Sequence, residues 1–523
     1  MKFLNRLIYY PFCFAALPIL ALLGHNIKEV ALSVVIRPLV ISWIVTILLS
    51  LLFYVFIHDW HKSALSTSLT LILFYSYGHV YHTLRDVSEL GFELVRHRYF
   101  IFVYLIIFLV TLWLIVKRTR GSVDQQEYLN VIGICLLIYP MYQIVHYYWI
   151  EGHSALAEDS LHHTESNLYP PDSHDLPDVY YIILDSYTRA DSLMEDYLFD
   201  NSDFLDSLRE LGFYIGECSR CNHCSTITSL VSSLNMDYIP QLQQELKDSW
   251  VENEMWLLIK NSRVRTELEA LGYKTIAFDT GTEWTRLRDA DMYLGPNEEN
   301  LFVQVINPFE ALLIKNSAGL LLHDFYELSV LAEKKELYQS INFAIYGYEL
   351  FAKTELNILD TLPQLPAIPG PKWVFAHILI PHVPRIFTPS GDIVDDPGFY
   401  SGVGDGPINE EYEIEGYVNE VQFVNHQMLD IVNKIITSSS RPVIIVFQGD
   451  HGGKGGSIYN ILNAYYIPKR KDKYLYPEIS PVNTFRLIFD SYLGGEYGLL
   501  SDVTFTSDDP VQIVEERFPH CVE

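Results

Sequence analysis

Five apolar stretches crowd the first 150 residues, at roughly 7–24, 31–57, 64–82, 99–116 and 128–149. Each comes close to the ~20 residues with which an α-helix crosses the hydrocarbon core of a bilayer. In that solvent the backbone polar groups must pair within the segment, and a helix does so. Short polar connections argue against five successive core helices of a soluble domain. The first stretch does not read as a removable leader, because no small-residue cleavage site separates it from the next apolar run. The expectation is a transmembrane bundle of about five helices over residues 1–150.

Orientation is read from the basic residues. With the N-terminus inside, Lys2, Arg6, Lys62, Lys117, Arg118 and Arg120 are cytoplasmic. Lys28, Arg85, Arg96 and Arg98 then lie outside, the last three offset by Asp86, Glu89 and Glu93. Everything after Trp149 is expected beyond the cytoplasm, at a plasma (inner) membrane. Of 36 basic and 65 acidic residues, 11 and 7 fall in the first 150, which leaves 25 and 58 for the remainder. Those balances are +4 and −33. So acidic a second part excludes nucleic acid as a tightly held partner. Tyr75, Tyr77, Tyr81, Tyr139, Tyr142 and neighbouring histidines are expected chiefly as interfacial aromatic belts.

Residues 151–177, with Pro170, Pro171 and Pro177, read as a linker. From 178 to 523 apolar strands alternate with helical periodicity. Val179–Leu184 is a strand ended by Asp185, Lys274–Phe278 one ended by Asp279, and Trp373–Ile380 one leading to Pro381 and His382. Helical spacing marks Leu205–Leu211 and Arg263–Leu271, closed by Gly212 and Gly272, and the run from Ile414 to Ile435. The run VIIVFQGDHGG at 443–453 is a buried strand that stops at Gly449, with Asp450 and His451 beyond it. Such alternation defines an α/β/α sandwich on a mostly parallel sheet.

In open α/β sheets ligands gather beyond the carboxyl ends of strands. A carboxylate beside an imidazole at such an end, flanked by glycines, suits a divalent cation. Between the first two strands, Ser225, Thr226 and Thr228 open a helix whose buried face is Leu230, Val231 and Leu234. A hydroxyl there lies where backbone N–H groups and the helix dipole favour negative charge. Contact with a metal would make it a nucleophile; otherwise these hydroxyls are only helix caps.

The landmarks LDSYTRADSL (184–193), STITSLVSSLN (225–235), FAHILIPHVPRIFTPSG (375–391), FQGDHGG (447–453) and SPVNTFRLIF (480–489) occur in that order. Together they resemble the alkaline phosphatase/sulfatase superfamily, and within it the membrane-anchored lipoteichoic acid synthases and phosphoethanolamine transferases. The resemblance implies a sulfatase-like domain. It makes Asp185, Thr226, Asp450 and His451 metal ligands, Thr226 also the nucleophile, and His382 the residue that meets the substrate's anionic group or stabilises the leaving oxygen. His377 is expected in the core or behind the ligands. The metal is expected to be Mn or Zn, with Mg or Ca as alternatives.

Sulfatases carry Cys or Ser followed by proline and arginine, and a second Asp after the first; here Thr226-Ile-Thr and Ser186 stand in those places. Phospho-headgroup transfer from or to a membrane lipid or envelope glycan is therefore expected, with a sulfuric-ester hydrolase acting on sulfated glycans as the alternative. A catalytically decayed membrane binding protein is the reading from outside enzymes. Cys218, Cys221 and Cys224 suggest a disulfide of unread pairing in an oxidising compartment, or a zinc site with His223. Lys454 and Arg189 lie close enough in sequence to neutralise a phosphate, although a surface position is the simpler expectation.

Overall fold

The computed structural model describes residues 8–27, 32–87, 97–119, 123–147, 149, 168–169, 176–246, 255–296, 308–321, 348–394, 410–453, 455–467, 474–506 and 513–514. Most of the expected linker, and Lys454, lie outside these residues. The chain divides into two compact units, residues 1–160 with 299–347, and residues 161–298 with 348–523. Segment 299–347, expected with the second half, thus belongs with the N-terminal helices.

The first unit has helices at all five apolar stretches: α1 (Tyr10–His25), α2 (Ile36–Ile57), α3 (Trp60–Val87), α4 (His97–Arg118) and α5 (Val123–His146). Three stretches, 36–57, 99–118 and 125–146, are long and apolar enough to cross a membrane. The other two differ from the expectation for physical reasons. Helix α1 has only 16 residues. The early turns of α3 bury Ser63, Ser66, Thr67 and Ser68, and the first three return their hydroxyls to the carbonyls of Asp59, Lys62 and Ser63. Asn130 of α5 caps α1 in place of a local side chain, its Oδ1 accepting from the backbone N–H groups of Tyr9 and Tyr10 at 3.2 and 3.1 Å. Tyr77 and Tyr81 are buried and pack on Phe100 and Tyr104 of α4, so they hold helices together and form no belt. Tyr139 and Tyr142 are exposed, as a belt requires.

The second unit is built on a seven-stranded sheet of order β2-β7-β6-β1-β5-β3-β4. Its strands are β1 (Asp178–Leu184), β2 (Tyr214–Ile215), β3 (Lys274–Phe278), β4 (Met292–Leu294), β5 (Lys372–Ile378), β6 (Val443–Gln448) and β7 (Asn463–Tyr466). From β6 to β4 every pairing is parallel, and β7 and β2 add an antiparallel edge. Strands β1, β5 and β6 are buried along their whole length, as the unbroken apolar runs predict. Val179, Tyr181 and Ile183 share a cluster with Leu230 and Leu234 of α6 (Thr226–Asn235), Leu268 of α7 (Arg263–Ala270) and Phe485 of α9 (Pro481–Tyr492). Tyr180, Ile182 and Leu184 alternate to the other face and are buried too, so both faces are covered. Helix α8 (Glu410–Ser438) buries Tyr417, Val421, Val424, Met428, Ile431 and Ile435 at the spacing read from sequence.

Glu420 of α8 is buried, and its Oε1 accepts from the backbone N–H groups of Ile386 and Phe387 at 2.8 and 3.3 Å. Its Oε2 has no hydrogen-bond partner among the described residues. Burial raises its pKa from the ordinary 4.5 to about 8, against those two N–H groups and Arg385. A raised carboxyl favours the folded state fully below its unfolded pKa, and that contribution is lost as pH rises through the folded one. Thermal stability should therefore decline from about pH 4.5 to about pH 8 in part through this residue. In Glu420→Gln that part of the slope should vanish, as unfolding temperatures at each pH would show; an unchanged slope would refute the assignment.

Candidate active site

Three adjacent parallel strands, β6, β1 and β5, end side by side and supply the site. Ile183 of β1 is level with both His377 of β5 and Gln448 of β6. That register brings Asp185, His377 and Asp450 together, with one ligating atom from each within 4.8 Å of the others, all three residues buried. The ends can approach because Gly449 and Gly452 lack side chains. A Cβ on Gly449 would lie 2.5 Å from the Tyr187 carbonyl oxygen, and one on Gly452 2.1 Å from that of Ser457.

The hydrogen bonds divide the labour among the oxygens. Asp450 Oδ1 accepts from the backbone N–H groups of Ser186 and His451, at 3.0 and 2.9 Å. Asp450 Oδ2 is buried and has no hydrogen-bond partner among the described residues. Asp185 Oδ2 lies 3.1 Å from His377 Nε2, and Asp185 Oδ1 accepts from the Ser186 hydroxyl at 3.2 Å. His377 Nδ1 meets the Thr285 hydroxyl at 3.2 Å. His451 Nδ1 is 2.8 Å from its acceptor, the Gly452 carbonyl. With the proton on Nδ1, His451 Nε2 carries a lone pair and stands 3.7 Å from Asp185 Oδ1 and 3.7 Å from Asp450 Oδ2.

Asp185 Oδ1, Asp450 Oδ2 and the lone pair of His451 Nε2 thus converge, with the Ser186 hydroxyl reaching Asp185 alone, an arrangement that is costly unless a proton or a cation lies there. Burial disfavours the Asp185 carboxylate, but the His377 hydrogen bond and the neighbouring imidazoles outweigh it and hold its pKa below the usual range. Burial likewise disfavours the His451 imidazolium, and Asp450 and Asp185 outweigh it, so its pKa is raised. The orphaned oxygen of Asp450 and the mixed carboxylate and imidazole donors fit a divalent cation.

The structure thus brings Asp185, Asp450 and His451 together. The ring centroid of His382 is 6.4 Å from that of His451, and its Nδ1 is 2.8 Å from the Val383 carbonyl oxygen. Thr226 is the first residue of α6, half-buried. No hydrogen bond or ion pair among the described residues joins Thr226 to the carboxylates. The Ser225 hydroxyl is taken by Thr228 Oγ1 at 2.7 Å and caps no backbone N–H. No side-chain cap from Ser225 therefore competes for the N–H groups that open α6.

His377 was legible only as a residue of the core or behind the ligands, yet it touches Asp185 directly. Ser186, with φ of 63°, was not singled out as a contact, although it links both carboxylates. Arg189 is buried rather than at the surface, held by Asp191 at 2.7 and 2.8 Å and by the Ser219 carbonyl at 3.0 Å. Cys221 and Cys224 form a disulfide, and Cys218 is disulfide-bonded as well. His223 is stacked on Phe505 at 4.5 Å, so the zinc alternative for this cluster loses its thiolates.

No family model matches the chain, and no curated protein matches it in sequence. Among solved structures, it is similar to the C-terminal periplasmic domain of EptC from Escherichia coli in complex with Zn, at 13% identity and a TM-score of 0.42, covering 67% of this chain and 95% of that one. It is similar to the integral membrane lipooligosaccharide phosphoethanolamine transferase A from Neisseria meningitidis, at 11% identity and a TM-score of 0.38, covering 92% and 96%. A third likeness is to the phosphonate monoester hydrolase of Agrobacterium radiobacter, at 11% identity and a TM-score of 0.35, covering 63% and 79%. Likenesses this distant decide nothing about chemistry, which follows from the side chains of the site.

Proposed function

We propose that the chain is a membrane-anchored, metal-dependent enzyme that transfers a phospho-headgroup, or hydrolyses the corresponding ester, through Thr226. The observation that carries this reading is the unpartnered, buried Asp450 Oδ2 facing His451 Nε2 beside Asp185. Asp185, Asp450, His451 and the Thr226 hydroxyl would hold the cation, which supplies Lewis acidity to oxygen atoms bound to it. Thr226 Oγ1 forms a bond to phosphorus while the bond to the leaving alcohol breaks; the hydroxyl proton passes to solvent. His382 gives a proton to the leaving oxygen, and the backbone N–H groups opening α6 receive the phosphoryl oxygens. Water or an acceptor hydroxyl then attacks phosphorus and restores Thr226. His377 holds Asp185 in place, as hydrogen-bonded partners of ligands do.

Cys224 is bonded to Cys221, which supports phospho-transfer over a sulfatase that would need that cysteine free. Intact acids, imidazoles and an unengaged hydroxyl support an enzyme over a decayed binding protein. Both carboxylate and imidazole donors favour manganese or zinc over calcium or magnesium. Purified protein should carry about one equivalent of transition metal per chain by elemental analysis, and Asp450→Asn should lose it. Stoichiometric calcium, or full retention by that variant, would overturn the assignment.

With the N-terminus inside, an odd number of crossings, three or five, would put residue 160 beyond the cytoplasm. A periplasm-dependent phosphatase reporter fused after residue 160 should be active, whereas activity of a cytoplasm-only reporter there would reverse the orientation.

A further inference from the structure

A groove of about 440 Å³ in the first unit is lined by α2, α3 and the helix Pro308–Lys315. Ile41, Val45 and Leu49 form one wall, Leu71 and Phe74 a second, and Leu313 with Ile314 a third. Its polar lining is already engaged. Ser42 Oγ bonds Tyr75 Oη at 2.9 Å and the Ala15 carbonyl at 3.2 Å, and the Thr70 hydroxyl returns to the Ser66 carbonyl at 2.9 Å. At one end Arg37 Nε donates to Glu310 Oε1 at 2.6 Å, and a second guanidinium nitrogen pairs with Oε2.

Water needs two to four polar partners to occupy a cavity, and the few polar groups of these otherwise apolar walls each already hold a protein partner. An empty groove would forfeit the dispersion contacts of all its lining atoms. Ile41 and Val45 are exposed on a helix apolar enough to span a bilayer, so hydrocarbon is the medium at hand. Arg37 and Leu49 are twelve residues apart on α2, about 18 Å along a helix, which gives the groove an elongated wall. The Arg37–Glu310 pair ends it with matched charges.

We propose that this groove holds one acyl chain of a glycerophospholipid from the surrounding bilayer. The chain is a resident wedge between α2, α3 and the helix Pro308–Lys315, independent of the chemistry at Thr226. The test uses the full chain in phosphatidylcholine vesicles doped with phosphatidylcholine bearing a diazirine in mid-acyl chain, with labelled peptides mapped by mass spectrometry. Ile41, Val45, Phe74 and Leu313 should be labelled several-fold more than Phe56 and Phe102, which are exposed outside the groove. Val45→Trp should lower groove labelling and leave Phe56 unchanged, and Thr226→Ala should label as wild type does. Equal labelling of all apolar faces would overturn the proposal even if the tryptophan variant failed to fold. So would undiminished groove labelling in a folded Val45→Trp. Displacement by palmitate and not by unlabelled phosphatidylcholine would identify a free fatty acid and overturn the phospholipid assignment.

Discussion

Thr226→Ala should insert in the membrane, fold and retain some metal, yet lose turnover by roughly 10³-fold or more, the scale on which removing a nucleophile acts. Folding is spared because the Thr226 hydroxyl makes no hydrogen bond among the described residues, and alanine favours a helix start no less than threonine within. The buried face of α6, from Leu230 to Leu234, is untouched. Ser225→Ala removes an exposed hydroxyl that, among the described residues, bonds Thr228 alone, and should cost far less. Cys224→Ala should cost stability through the lost disulfide rather than chemistry. Release of headgroup from a fluorescent phospholipid and of sulfate from an aryl sulfate would be followed for all three variants. Near-normal turnover of either substrate by Thr226→Ala would sink the mechanism, and a reversed order, with Cys224 essential and Thr226 dispensable, would restore the sulfatase reading.

Lys372→Met should destabilise the second unit by about 3–5 kcal/mol, the usual cost of stripping one partner from a buried ion pair. Lys372 Nζ lies 2.5 Å from Asp178 Oδ2, with 1% and 2% of the two side chains exposed. The pair joins the first residues of β5 and β1, at the end of the sheet opposite the carboxylates. Burial raises the Asp178 pKa, and Lys372 recovers only part of that cost. Asp178 Oδ1 has no hydrogen-bond partner among the described residues. Removing the lysine side chain takes away the main group that offsets the lost hydration of this carboxylate and leaves a backbone N–H and the more distant charge of Arg441. The double variant Lys372→Met with Asp178→Leu should regain most of the loss, since packed apolar groups can replace such a pair. Denaturant unfolding of wild type, Lys372→Met, Asp178→Leu and the double variant gives the coupling directly. A single variant as stable as wild type would show that solvent reaches the site.

The strand-end carboxylates were legible because a parallel sheet leaves two signs in sequence. Its buried strands are unbroken apolar runs, and functional residues stand just past them, as Asp185 and Asp450 do. Neighbouring strands could not be told apart by that means, since register comes from tertiary packing. His377 lies inside β5, and only the alignment with Ile183 brings it to Asp185. Arg189 looked like a surface cation because its partner Ser219 is 30 positions away in sequence. Helix α3 read as an apolar stretch because the window at 64–82 gave little weight to its polar entry around Ser63 and Ser66. Segment 299–347 carries no motif that separates it from its flanks, and only its contacts assign it to the helices.

That excursion changes how the two units are joined. The chain passes between them after residue 160, returns after 298 and leaves again after 347. Cutting the first passage alone would not release the second unit, because two covalent connections would remain. Nor can a gene truncated at residue 161 yield a purely water-compatible product, since it still encodes Leu312, Leu313 and Ile314, whose neighbours are the deleted helices.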